Sequence, residues 1–315
     1  MSQTRQARLR ALAKINLDLR ILGPRPDRYH ELRTIFHTIS LADTISVEFT
    51  PSPHTRVQVD GHPEIPDNLI VKAAARLLDE MRITARVEFR LWKRIPMGAG
   101  LGGGSSDAAA VLLALPVLAG RPIELARLIE IGAELGSDVP FFLLGGAAIG
   151  IGRGTELYPL PDSPPRFGLL VAPAVHVSTA EAYRTLGPRL TTESQQNKIV
   201  SFQTRTWGEL FAEPQRCGVN DFETVVFEQF PQLASLKQQL LNMGADPAMM
   251  TGSGSALFGL FRTREQIHRA VSSLGGERVF PISLVSRARY RRLWWRSLRP
   301  HMNDDLWPPL SRYAQ

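Results

Sequence analysis

The stretch IPMGAGLGGGSSDAAAV, Ile95 to Val111, limits what this chain can fold into more than any other segment. Gly98, Gly100, Gly102, Gly103 and Gly104 crowd into seven positions, and each loses more conformational freedom on folding than another residue would. Such a loop is retained where backbone must pass close to something or adopt unusual φ values. A flexible linker is the alternative, but linkers do not usually lead from a patterned strand straight into an alanine-rich helix. Here ARVEFRLW precedes the loop, and SSDAAAVLLAL follows with Ser and Asp at a helix start and Ala and Leu in its body. Backbone N–H groups turned inward, joined by the unpaired donors and partial positive charge of a helix N-terminus, make a cradle for a polyphosphate. The Ser105 or Ser106 hydroxyl could add a contact to phosphate or magnesium. The loop matches neither G-x-x-x-x-G-K-[ST] nor a dinucleotide-binding G-x-G-x-x-G after a βαβ strand. It specifies phosphate without specifying a reaction.

The first third alternates. In AKINLDLRIL, Ile15, Leu17, Leu19 and Ile21 share one face and Lys14, Asn16, Asp18 and Arg20 the other, the pattern of a half-buried strand. TISVEF repeats it with Ile45, Val47 and Phe49, and ARVEFRLW with Val87, Phe89 and Leu91. Between them NLIVKAAARLLDE reads as a helix capped by Asn68. Strands and helices mix without a regular βαβ repeat, so an α+β fold is expected rather than a doubly wound one. PLPDSPPRF breaks the pattern and marks a second domain. The expected division is 1–160, 166–288 and a C-terminal extension, 289–315.

The chain has 315 residues, 43% hydrophobic and 21% charged, enough for two ordinary domains. No apolar run approaches the ~18 residues of a membrane span, and the N-terminus has no secretory leader pattern, so a cytoplasmic protein is expected. One cysteine, Cys217, excludes an intrachain disulfide and a thiolate zinc cluster, and is read as a packing residue. The net charge of +7 suits a polyanion or a small phosphorylated molecule. Much of the excess lies in RARYRRLWWRSLRP, where Arg287, Arg289, Arg291, Arg292, Arg296 and Arg299 flank Trp294 and Trp295. That mixture could touch nucleic acid or an acidic surface. The plainer reading packs the tryptophans on the body and leaves the arginines in water.

In LGSDVPFFLLGG, Asp138 sits among apolar and glycine residues and needs a strong partner. Lys14 is a candidate, and a helix cap or a purely structural ion pair is an equal alternative on spacing alone. Together the two could hold an alcohol and a migrating phosphoryl group, the carboxylate orienting or deprotonating the hydroxyl and the ammonium offsetting charge on the transferring oxygens.

AKINLDLRILGPRPDRYHEL, PMGAGLGGGSSDAAAVL, ELGSDVPFF, GIGRGTEL and MTGSGSALFGLF occur in that order, and with them the chain resembles the GHMP superfamily of small-molecule kinases. Within it the likeness is to the branch acting on a cytidine-diphosphate-linked methylerythritol. The resemblance implies a two-domain fold, a ribosomal-protein-S5-like N-terminal domain followed by a ferredoxin-like one. It implies ATP-dependent phosphorylation of the 2-hydroxyl in the non-mevalonate route to isoprenoids, with ATP as phosphoryl donor and Mg2+ as cofactor. Carried onto this sequence, it gives Lys14 and Asp138 catalytic roles. Asn16, Tyr29, His30 and Thr179 fall on the substrate side, Tyr29 and His30 at the cytosine. The ATP side comprises Asn68, Pro96, Met97, Gly98, Ala99, Gly100, Leu101, Gly102, Gly103, Gly104, Ser105, Ser106, Gly252, Ser253 and Gly254.

Arg28 in DRYH replaces the glycine usual in the family and leaves the rim of the cytidine pocket open. Nucleic acid is not expected as a partner under this resemblance. The extension beyond Ala288 lies outside it, over the second domain or in a subunit contact such as a homodimer. Since the kinase motifs are complete before it, the extension is expected to be dispensable for chemistry. Two rivals stand beside this reading. One is a GHMP kinase for mevalonate, phosphomevalonate, homoserine or a sugar, the other a basic nucleic-acid-associated protein without catalysis.

Overall fold

The computed structural model describes residues 3–313 apart from 28, 63, 163 and 191–217. Arg28 and Cys217, both singled out in the sequence, lie outside the described residues.

Two sheets organise the chain. The first contains β1 (Arg5–Pro24), β2 (His30–Pro51), β3 (Arg56–His62), β4 (Ala85–Trp92), β5 (Ala147–Gly152) and β6 (Glu156–Pro159), in the order β3-β4-β2-β5-β6 with β1 also paired to β2. Its neighbours are antiparallel except β3 and β4, which run parallel. Helix α1 (Leu69–Glu80) links those two, as a parallel pair requires a crossover. The Asn68 side chain accepts from the Ile70 N–H at 3.0 Å and starts that helix. Ile70, Ala73, Ala74, Leu77 and Leu78 then form its buried stripe.

Helix α2 (Gly103–Ala119) behaves differently. Every residue from Ser106 to Leu118 is buried, so it is a central helix with no solvent face, and its alanines let neighbours approach closely. α3 (Leu125–Leu135) and the short α4 (Val139–Leu144) pack beside it over the sheet.

The second sheet is antiparallel, with β7 (Phe167–Val171), β8 (Ala248–Met250), β9 (Leu257–Phe261) and β10 (Val279–Ser283) in the order β10-β7-β9-β8. Helices α5 (Thr179–Leu186), α6 (Glu223–Gln229) and α7 (Pro231–Asn242) lie between β7 and β8, and α8 (Arg264–Ser273) between β9 and β10. That succession and strand order are those of a ferredoxin-like domain. The whole is the two-domain α+β fold expected.

The two sheets share a core. Ala13, Ile15 and Leu17 of β1 pack with Ile35 and Ile39 of β2 against Leu170, Phe258, Leu260 and Ile282 of the second sheet. The opposite, polar face of β1 is also buried: Lys14, Asn16, Asp18 and Arg20 are all largely shielded from water. Alternation in β1 therefore separates two buried environments, an apolar seam and a polar cleft, rather than core from solvent.

The C-terminal segment does not lie over the second domain. Helix α9 (Arg287–Leu298) turns back onto the first domain, where Tyr290, Trp294, Leu298 and Met302 join the core of α1, α2 and α4. Trp295 and its arginine neighbours remain partly exposed, so the plainer reading of the tryptophans holds for Trp294. No helix of the described residues is long and apolar enough to cross a membrane.

One buried ionic cluster braces both ends of the glycine loop. The Lys93 ammonium lies against the Asp43 carboxylate of β2 and donates to Asp107 Oδ2 of α2 at 2.9 Å. Asp43 Oδ1 also accepts from the Ile95 N–H at 2.8 Å. The segment before the loop and the helix after it are thus tied to one strand. Burial works against the Lys93 charge, but the two carboxylates outweigh it and hold the ammonium above its ordinary pKa. One lysine cannot balance two buried carboxylates. Burial pushes Asp107 up to about 7, with Asp43 adding to the rise and Lys93 opposing it. Asp107 Oδ1 has no hydrogen-bond partner among the described residues.

A raised folded-state pKa means that the folded chain keeps a proton that the unfolded chain loses near pH ~4. The associated stability is complete below that pH and is lost as pH rises through about 7. Asp107→Asn, neutral at every pH, should match the parent's melting temperature below pH ~4 and exceed it by a margin that grows as pH rises to about 7. Parallel thermal melts would check this, and identical pH slopes would place the proton elsewhere.

Candidate active site

Lys14 stands on the polar face of β1, with its backbone N–H donating to Leu101 O of the glycine loop at 3.1 Å. Its ammonium donates to Asn16 Oδ1 at 2.8 Å and lies 3.4 Å from Asp138 Oδ2. Asp138 precedes α4 at the N-cap position, yet its side chain makes no capping hydrogen bond. Of the alternatives open in sequence, the ion pair with Lys14 is the one the fold adopts. The carboxylate is 31% exposed against 4% for the lysine side chain, so the pair presents its anionic half to the cleft.

Asn16 joins three segments. Its Oδ1 accepts from Lys14, from the Thr251 hydroxyl at 3.2 Å and from the Gly252 N–H at 3.0 Å. Its Nδ2 donates to Thr34 Oγ1 at 2.7 Å. The carboxamide expected to grip substrate is engaged within the protein and holds the Thr251–Gly252 loop against β1. Asn220, which the sequence did not single out, does similar work: its amide donates to both Met250 O and Gly252 O at 2.8 Å.

The loops touch through backbone. Gly100 has φ +77°, and a Cβ there would fall 2.1 Å from Thr251 O. Gly252, at φ +57°, would clash with Gly100 Cα in the same way. Glycine is required at both positions by close approach as well as by conformation. Gly102, the N-cap of α2, is left-handed at φ +67° and offers no side-chain cap. The first N–H groups of this helix therefore face the cleft without an internal acceptor. Thr179 Oγ1 and Ser253 Oγ hydrogen-bond at 2.7 Å across from them.

The Ser106 hydroxyl proton is committed within the protein. The residue is buried and its hydroxyl donates to Leu12 O at 2.7 Å, which fixes α2 onto β1. Ser105 is the more accessible of the pair and lies by the turn that carries Asp138, since a Cβ on Gly136 would sit 3.8 Å from its Oγ. No cluster of three His, Cys, Asp or Glu side chains suited to a metal occurs among the described residues.

A cavity of about 200 Å³ joins these parts, lined by Lys14, Asp138, Gly102, Gly252, Thr179 and Tyr183 among others. Arg153 and Phe222 also reach it. At its outer end His30 and Tyr183 stack with ring centroids 4.4 Å apart, and Tyr183 meets Phe222 edge-on. Burial lowers the His30 pKa, which keeps the imidazole neutral near neutral pH. Burial also raises the Tyr183 phenol to about 12, and the Asp138 charge adds to that rise. Tyr29 is 51% exposed and lies under the Arg153 guanidinium, 4.5 Å from ring centroid to Cζ. The aromatic partner of His30 is thus Tyr183 of α5, a residue that motif spacing could not place. Asn68 lies elsewhere, beside a cavity of about 390 Å³ bounded by Ile65, Pro66, Lys72 and Leu91, while also capping α1.

The comparisons with known proteins agree with this geometry. The family models described as GHMP kinases N terminal domain and GHMP kinases C terminal match residues 68–146 and 199–278. A 4-diphosphocytidyl-2-C-methyl-D-erythritol kinase of Solibacter usitatus is 62% identical over 99% of both chains. One of the same description from Pelobacter propionicus is 40% identical, covering 84% of this chain and 93% of its own. A solved 4-(cytidine 5'-diphospho)-2C-methyl-D-erythritol kinase superposes with a TM-score of 0.75 at 36% identity, over 88% of this chain and 98% of that one. A homoserine kinase from Cytophaga hutchinsonii shares the fold alone, at 17% identity and a TM-score of 0.69, over 89% of this chain and 95% of its own. With glycine loops, cleft and both domains matched from end to end, this chain belongs to the GHMP kinases, alongside the cytidine-diphosphate-methylerythritol kinases of that family.

Proposed function

We infer that this chain transfers the γ-phosphoryl group of ATP to the 2-hydroxyl of 4-(cytidine 5'-diphospho)-2-C-methyl-D-erythritol, giving the 2-phosphate and ADP in the non-mevalonate route to isoprenoid precursors. The observation that carries this is the Lys14–Asp138 pair, 3.4 Å apart, where the two glycine loops meet. The 62% identical relative supplies the substrate.

In the reaction, Asp138 accepts the hydroxyl proton as the oxygen attacks the γ-phosphorus, an O–P bond forms, and the bond to the β-phosphate oxygen breaks with ADP leaving. Lys14 offsets charge on the equatorial oxygens, held in place by Asn16 Oδ1. Backbone N–H groups of the glycine loop and of the α2 N-terminus hold the triphosphate. A magnesium ion on that triphosphate would neutralise phosphate charge, with the Ser105 hydroxyl within the loop as its protein contact. The absence of an acidic cluster among the described residues fits a metal held mostly by phosphate oxygens and water. Cytosine lies at the His30–Tyr183 end, where a neutral imidazole offers one donor and one acceptor. An ATP-dependent reaction fits a cytoplasmic enzyme.

The direct test gives the purified chain ATP and separate alcohols: the cytidine-diphosphate substrate, mevalonate and homoserine. Phosphorus NMR should show a new phosphomonoester with the first alone. Transfer to mevalonate or homoserine instead would overturn the substrate assignment.

Asp138→Asn keeps shape and much of the hydrogen bonding but cannot take the proton. It should bind ATP normally in calorimetry while kcat falls by about 100-fold or more. Lys14→Met should lose a comparable amount, and the double variant less than the product of the two. Near-parental kcat in folded Asp138→Asn would remove its catalytic role.

His30→Ala should raise KM for the cytidine substrate by about 5- to 100-fold, the equivalent of roughly 1–3 kcal/mol, with a smaller change in kcat. Tyr183→Leu should do the same by losing the flat ring. Steady-state kinetics with cytidine and uridine forms of the substrate would check both, and undiminished preference for cytidine in His30→Ala would move base recognition elsewhere.

A further inference from the structure

Two helices carry the chemistry at their N-terminal ends. α2 follows the phosphate loop directly, and α4 follows Asp138 directly. Although the Gly120 and Arg121 N–H groups reach Val117 O and Pro116 O of α2, and the Gly145 N–H reaches Phe141 O of α4, each helix still leaves carbonyls of its last turn short of donors. For both helices, donors from the C-terminal segment or held by it meet those carbonyls.

At α4, the Tyr290 hydroxyl donates to Phe142 O, and the Trp307 indole N–H donates to Leu143 O at 3.0 Å. At α2, the Ser311 hydroxyl donates to Val117 O at 2.6 Å. The Arg5 guanidinium donates to Leu118 O, and its Cζ lies 3.8 Å from the Tyr313 ring centroid. His301 closes the arrangement by contacting Gln6 O at 2.8 Å through its Nε2.

The approach at α4 is as close as backbone permits. Gly145 ends the helix at φ +64°, and a Cβ there would come within 2.3 Å of the Tyr290 ring. Gly146, at φ +72°, would meet Arg287 at 2.7 Å. α4 has six residues and is therefore about 9 Å long. A helix this short has little cooperative stability of its own, so its axial position follows whatever holds its ends.

Resting on the kinase reading above, we propose that residues Tyr290 to Tyr313 are a positioning element for catalysis. They clamp the C-terminal ends of the two helices whose N-terminal ends place Asp138 and the phosphate loop, with Tyr290 and Trp307 as the residues that set Asp138 against Lys14. Neither touches the cleft; both act through α4. Positioning of this kind matters because a displacement of about 1 Å at a reacting group can cost about 100-fold in rate. The extension is then not dispensable for chemistry, contrary to what the motifs alone suggest.

The test is a double-mutant cycle on the full chain. Tyr290→Phe and Trp307→Phe each keep a ring and remove one donor. The pair is made in the parent and in Asp138→Asn, with thermal unfolding recorded for all. In the parent, kcat should fall about tenfold while KM for ATP changes less than twofold. In Asp138→Asn, whose misplaced group is already disabled, the same pair should leave the residual kcat unchanged. Equal losses in both backgrounds, or an unchanged kcat in the parent, would overturn the proposal. If Tyr290→Phe does not fold, Trp307→Phe alone gives the same comparison. An Asp138→Asn enzyme with near-parental kcat would instead remove the catalytic role given to Asp138 above, a different outcome from additivity in the cycle.

Discussion

Burying a row of polar side chains along a strand is costly unless each finds a partner, because an unanswered polar group loses its water without compensation. β1 meets that demand partly by recruiting partners from far along the chain and partly within itself. Lys14 finds Asp138, Asn16 finds Thr251 and Gly252, Asp18 pairs with Arg20, and the Ile21 N–H donates to Asp221. The other face of the same strand packs Ile15 and Leu17 into the seam between the sheets. Burial of each such apolar side chain stabilises by about 1.5–3 kcal/mol. The domains are thus held by an apolar seam, while the polar partners fix their register to within hydrogen-bond tolerance. A catalytic cleft needs both.

The loop contact extends that logic. Two backbones can approach as Gly100 and Thr251 do only where no Cβ intervenes, and nothing about a helix or strand demands such contact. Its consequence is functional: backbone from both domains converges on one small volume beside Lys14. Because Asn16 and Asn220 hold the second loop through its carbonyls and N–H groups, its conformation is set before any phosphate arrives. Preorganised donors of this kind need no rearrangement when charge develops.

Much of this was legible in the chain itself. The glycine loop, the Asn68-capped helix and the strand ending at Trp92 follow from local rules, and β4 alternates buried and exposed as its spelling requires. The loss of legibility is physical and specific. β2 runs from His30 to Pro51, but only TISVEF alternates clearly, because Ile35 to Ile39 face buried surroundings on both sides and leave no polar rhythm to read. The role of Asn16 depends on Thr251, and the partner of His30 is Tyr183; neither contact has a sequence interval that could announce it. Ser105 and Ser106 are adjacent and chemically alike, and only helix phase decides that one turns inward to Leu12. The extension was misplaced for a similar reason: nothing in RYRRLWW says which helix ends lack donors.

The ammonium groups around the cleft are already paired before substrate binds. Lys93 is held between Asp43 and Asp107, and Lys14 faces Asp138. These ammonium groups do not act as free cations pulling in phosphate, and the net charge of +7 does not describe the phosphate site. Attraction there falls to oriented N–H groups and the α2 N-terminus, which carry partial charges that need no counterion in the empty cleft. Such a site can stay buried and rigid without an unpaired charge to desolvate. On the mechanism proposed above, Lys14 would be released from Asp138 only when a transferring phosphoryl group offered it a more anionic partner, at the moment when Asp138 took up a proton and its own hold on the lysine weakened. The pair would then exchange partners in the direction in which the reaction moves charge, so that the ion pair of the empty cleft would become the arrangement best matched to the transition state.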